Sequence, residues 1–172
     1  MDVKLIFVLT AFFIYAVYNI VSLCLFGVPD SLSLTFYLYQ EKRKWMKVLF
    51  PLMMLTMAGC LLPVWLEISE GSDLQFMSFL AAAGIMFTGS APSFLSCDLE
   101  NKVHSFSAIT AAIFALLWVI FVAKLWYIIV IWFAIILVCS LLTKTIKRAY
   151  VYWLETVAFM STFVSILIYY LR

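Results

Sequence analysis

The sequence predicts an all-α integral membrane protein, with six transmembrane helices in a single polytopic domain over residues 1–172 and broken or interfacial segments after spans one and three. Three observations predict it. Hydrophobic residues make up 67% of the chain and charged residues only 12%, about half the charge of an ordinary soluble domain. A water-soluble globule of this size must present a large surface, and this composition has too little polar surface to cover one. The apolar residues also fall into six runs, most of them near the roughly 20 residues that a helix needs to cross hydrocarbon. Finally, Lys and Arg gather on alternate breaks between the runs, as a chain threaded back and forth across a bilayer requires.

The first span covers residues 5–26. It exceeds the apolar core of a signal peptide, about 7–15 residues, and no small-x-small cleavage site follows, so it reads as a retained helix. Its polar members, Tyr15, Tyr18 and Asn19, suit hydrogen bonds to neighbouring helices. Gly27-Val28-Pro29-Asp30-Ser31 then breaks the helix, because Pro29 removes a donor and disfavours helix at Val28. Residues 31–40 alternate like a strand, but a strand edge cannot lie unpaired in lipid. A short interfacial helix or a protein-buried extended segment is expected there, ending in Lys42, Arg43 and Lys44.

The second span covers residues 45–66, with Pro51 near its start, Pro63 near its end, and Ala58 and Gly59 as a close-packing face. An acidic loop with Glu67, Glu70 and Asp73 follows. The third span, 74–95, runs cleanly only to Thr88, then passes through Gly89-Ser90-Ala91-Pro92, so a helix broken near the membrane boundary is expected. Ala81-Ala82-Ala83-Gly84 predicts tight contact with a neighbour. Spans four and five, 103–122 and 125–142, are separated by a short turn at Lys124 and should be antiparallel neighbours. After a basic loop with Lys144, Lys147 and Arg148, the sixth span covers 150–171 and carries Glu155 in its first turns.

With six spans, eight basic residues (Lys42, Arg43, Lys44, Lys47, Lys102, Lys144, Lys147, Arg148) fall on one side and three (Lys4, Lys124, Arg172) on the other. The positive-inside rule then places both termini on the non-cytoplasmic side. The breaks at Pro29-Asp30-Ser31-Leu32-Ser33 and Pro92-Ser93-Phe94-Leu95-Ser96 both follow a glycine, end odd-numbered spans and share the cytoplasmic side. They form a weak internal echo.

The net charge of +2 gives no reason to expect nucleic-acid binding. There is no phosphate-binding or dinucleotide motif and no nucleophile elbow, and no motif ties the chain to a known family. Cys24, Cys60, Cys97 and Cys139 are scattered without zinc spacing, and His104 is the single histidine, so no metal and no cofactor are expected. The topology does gather the rare ionisable residues. Asp30, Asp98, Glu100, His104 and Glu155 all fall near the inner boundary, beside serines released by the two breaks. A cytoplasm-facing polar pocket is therefore expected, with Asp30, Ser93, Ser96, Asp98, His104 and Glu155 as ligand-binding residues.

Glu155 has no cation three or four residues earlier, so its partner must come from another element, with His104 or Lys102 as candidates. The leading functional reading is binding or transport of a small or lipid-like ligand. An intramembrane lipid-modifying enzyme, with catalytic candidates His104, Asp98 and Glu155, and a structural or accessory subunit are the alternatives. Membrane lipids are the expected partners, with a second copy or another membrane protein left open.

Overall fold

A computed structural model describes residues 3–142 and 148–171; Lys144, Lys147 and Arg172, counted above for orientation, lie outside the described residues. The helices are α1 (Val3–Phe26), α2 (Thr35–Lys42), α3 (Leu49–Ile68), α4 (Phe76–Ser90), α5 (Asp98–Phe121), α6 (Trp126–Leu142) and α7 (Tyr150–Leu171), with a 3-10 turn at Lys44–Val48 leading into α3. Among the described residues there is no strand. Four helical stretches are long and apolar enough to cross a bilayer: Val3–Phe26, Lys44–Ile68, Asp98–Phe121 and Tyr150–Leu171. They support an integral, multi-pass membrane protein. The two others, α4 and α6, are equally apolar but shorter. At 15 and 17 residues they rise roughly 22 and 26 Å, against a hydrocarbon thickness of about 30 Å.

α1 shows how such a helix chooses its inner face. Its buried residues, Val8, Ala11, Tyr15, Tyr18, Asn19 and Ser22, recur every three or four positions and include every polar side chain of its second half. Large aliphatic and aromatic residues such as Phe13, Val17 and Ile20 point outward. This inverts the soluble pattern, because in lipid the polar groups need protein partners and the hydrocarbon does not. Asn19 donates to the Tyr15 carbonyl at 2.9 Å and accepts from the Tyr152 hydroxyl of α7 at 3.0 Å. Tyr18 bonds Thr35 at the start of α2, and Ser22 meets the Tyr39 hydroxyl at 3.0 Å.

Each helix of the sequence reading is present, with local differences. The alternating stretch 31–40 is not extended: a turn at 32–34 leads into α2, and the Ser31 hydroxyl accepts the Leu34 N–H at 3.1 Å. The third helix stops at Ser90 instead of continuing through Ser93-Phe94-Leu95-Ser96. The fourth begins at Asp98, ahead of the expected 103, with Asp98 and Glu100 placed to complement the positive end of the helix dipole. Gly59 is not a packing glycine, since nothing lies within 4 Å of where its Cβ would stand. Gly84 is one: a Cβ there would lie 2.6 Å from the Ala111 nitrogen and 2.7 Å from the Ser107 carbonyl oxygen.

The helices close into a ring. α1 packs on α3, α3 on α4, α4 on α5, α5 on α7, and α7 returns to α1, while α6 lies outside against α7 and α5. Polar side chains fasten both ends. At the end away from α2, Glu67 pairs with Lys4 and accepts from the Tyr170 hydroxyl at 2.8 Å, joining α1, α3 and α7. Beside it, Trp118 Nε1 donates to Ser69 Oγ at 2.8 Å, and Ser69 meets Ser78 at 2.9 Å. At the α2 end the two glycine-led breaks meet. The Tyr37 hydroxyl of α2 accepts the Leu95 N–H at 2.7 Å, and the Tyr37 and Phe94 rings lie edge to face.

Candidate functional site

The ring encloses a narrow cavity between α3, α4, α5 and α7. Ala108, Ala111, Ala112 and Ala115 of α5 form one wall, because their spacing repeats on a single helical face. Trp65 of α3 lines the cavity toward the Glu67 end, with its ring packed against Trp118. Leu32, Ser33 and Glu155 line it at the α2 end. The cavity measures about 40 Å³. That volume admits a few waters or one solute of a few heavy atoms.

Among the described residues Glu155 is the only ionisable one that lines the cavity. α7 carries it about 8 Å inward from Tyr150, a depth at which a carboxylate must find protein or solute partners. Its Oε2 accepts the Leu32 N–H at 2.6 Å, and the Ser33 hydroxyl points at Oε1 from 3.5 Å. The break after α1 makes this possible, since Leu32 sits in the turn before α2 and its amide has no intrahelical acceptor. The Tyr152 N–H donates to the Asp30 carbonyl at 3.2 Å and holds that turn against α7. A carboxylate has room for about four hydrogen bonds, so Glu155 keeps acceptor capacity beside the cavity. Trp65 adds a buried indole N–H that has no partner among the described residues.

The remaining sequence candidates do not join Glu155 at the cavity. Asp30 is exposed and faces Arg148 at 3.4 Å. Asp98 and Ser96 are exposed at the start of α5 and in the loop before it. Ser93 contributes its backbone N–H, which donates to Glu100 Oε2 at 3.0 Å. His104 is buried, but its Nδ1–H donates to the Ala91 carbonyl at 2.9 Å and its ring stacks on Phe94 with centroids 4.4 Å apart. The group orienting the imidazole is thus a backbone carbonyl. Neither His104 nor Lys102 is the partner of Glu155; a backbone amide takes that place.

Two features of the cavity are absent from the sequence expectations. The Leu32 amide is a backbone group, which residue identity cannot reveal. The alanine face of α5 does have a signal, since positions 108, 111, 112 and 115 repeat on one side of a helix. Among the described residues no group of three or more His, Cys, Asp and Glu side chains converges as a metal site would. Comparison with protein-family models, curated proteins and solved structures finds no match.

Proposed function

We propose that this chain is a six-span membrane protein, with both termini on the non-cytoplasmic side, that binds a small cationic or hydrogen-bond-donating solute at Glu155. The shorter α4 and α6 serve as the third and fifth spans in this reading, their deficit met by local thinning of the bilayer and by packing against the longer helices. The supporting observation is the pairing of one carboxylate with a cavity of about 40 Å³ inside the helix ring. Size favours a small solute over a lipid-like one, and charge favours a cation or donor. The apolar alanine wall would strip water from the solute and so strengthen its contact with the carboxylate. The site would serve a binding protein or the binding step of a transporter.

Equilibrium binding of labelled methylammonium to the purified protein tests this reading. Saturable binding should appear in the wild type and fall at least tenfold in Glu155→Gln, which keeps an acceptor for Leu32 but loses the charge. Ala112→Leu, which fills the cavity, should also abolish it. Binding that survives both substitutions would remove the cavity from consideration, and absence of binding in the wild type would leave the accessory-subunit reading.

A further inference from the structure

A second concavity lies on the outside of the ring, between α1 and α3, and its chemistry differs from that of the cavity. It measures about 340 Å³ and is lined by Phe13, Val17 and Val21 of α1, Leu49 and Leu52 of α3, and Tyr39 of α2, among others. Phe13, Val17, Val21 and Leu52 are exposed, so the groove opens sideways toward lipid. Its few polar groups are already engaged: Tyr18 with Thr35, Tyr39 with Ser22, and Thr56 with the Leu52 carbonyl. The walls therefore offer hydrocarbon contact and leave no hydrogen-bond partner for a polar solute. Along α1 the lining runs from position 13 to 21, roughly 12 Å, close to the depth of one leaflet's acyl chains.

The segment that joins Tyr39 to Leu49, both of which line this groove, carries the densest positive charge in the chain. Lys44 and Lys47 stand in the 3-10 turn that runs directly into Leu49, and Lys42 and Arg43 precede them. All four are exposed, and among the described residues none makes an ion pair. Lys42 Nζ lies 5.8 Å from the centre of the Phe26 ring, which packs against Tyr39 at the groove's inner edge. Trp45, also exposed, stands at the same level, where an indole anchors at the lipid headgroups. An apolar slot about one leaflet deep, with four exposed cations on the segment that leads into its α3 wall, is complementary to one class of molecule.

We infer that the α1–α3 groove binds one anionic diacyl phospholipid, its chains along Val17 and Leu52 and its phosphate among Lys42, Arg43, Lys44 and Lys47. This site is independent of the Glu155 cavity and requires only that the chain be membrane-embedded. Each basic residue near an anionic headgroup contributes about fivefold in affinity, so preference for charge should be large and removable in steps.

Native mass spectrometry of the full chain in detergent, titrated with phosphatidylglycerol or with phosphatidylcholine of the same acyl chains, tests the inference. The wild type should bind one phosphatidylglycerol at least tenfold more tightly than phosphatidylcholine. K42Q/R43Q/K44Q/K47Q, which changes only exposed side chains, should bring the two lipids within about twofold of each other. Leu52→Trp, which fills the slot from its lipid-facing side, should weaken both lipids, and Glu155→Gln should change neither. Equal affinity for the two lipids in the wild type would overturn the inference, as would an undiminished preference in the quadruple variant.

Discussion

The Glu155 carboxylate of α7 accepts the backbone N–H of Leu32 at 2.6 Å, joining positions 123 residues apart. One contact thereby seats the turn after α1 on the last helix and places the carboxylate at the head of the cavity. A hydrogen bond to a charged group is worth about 1.5–3 kcal/mol when its loss strands a buried partner. Glu155→Gln, which retains an acceptor, should therefore be more stable by about 1.5–3 kcal/mol, and melt at a higher temperature, than Glu155→Leu, which strands the Leu32 amide. Coincident melting of the two variants would mean that the bond does not hold the turn.

Two glycines should behave oppositely. An alanine methyl at Gly84 would meet backbone atoms of α5 at 2.6–2.8 Å, so α4 and α5 must separate, at a cost of about 1–3 kcal/mol or more. At Gly59 nothing lies within 4 Å, and Gly59→Ala should stabilise the helix by up to about 1 kcal/mol. Denaturation midpoints of the two single variants, measured in one detergent, check the sign of each.

The contrast between these glycines shows how far the sequence could be read. Hydrocarbon length placed the apolar helices, because crossing lipid demands long uninterrupted runs and α1, α3, α5 and α7 carry them. Tyr15, Tyr18 and Asn19 could be assigned to the protein interior, since polar groups in lipid have nowhere else to go. Yet Ala58-Gly59 and Ala83-Gly84 look alike in sequence, and only the arrangement of neighbours separates a packing glycine from an exposed one. The expected pocket dispersed for a related reason. Shared depth in the bilayer does not imply a shared side of the ring: Asp30 and Asp98 turn to solvent, His104 turns to the Ala91 carbonyl, and only Glu155 turns to the cavity.

Glu67 was legible only as one member of an acidic loop, but α3 extends to Ile68 and keeps it within reach of α1 and α7. Its contacts with Lys4 and Tyr170 make it the clasp of the end opposite α2. A double-mutant cycle of Glu67→Gln with Tyr170→Phe should return a coupling of about 0.5–1.5 kcal/mol. Additive effects on the unfolding midpoint would show that the two side chains act separately.

The proposed six-span arrangement predicts opposite sidedness for the two ends of the ring. In a background with the other cysteines replaced, Cys97, exposed in the loop before α5, should resist an impermeant thiol reagent applied outside intact cells. A cysteine substituted for Ser72, in the turn between α3 and α4, should react. Reaction of both from outside would remove α4 as a span, and the reversed pattern would invert the orientation.

The most direct measurement of the central claim is infrared difference spectroscopy of the membrane-reconstituted protein on adding methylammonium. Binding at the cavity predicts a shift of one carboxylate band that is absent in Glu155→Gln, present in His104→Phe, and not produced by choline, which is too large for a space of about 40 Å³. A spectrum unchanged by methylammonium, or a band that persists in Glu155→Gln, would contradict the assignment of Glu155 as the solute-binding group.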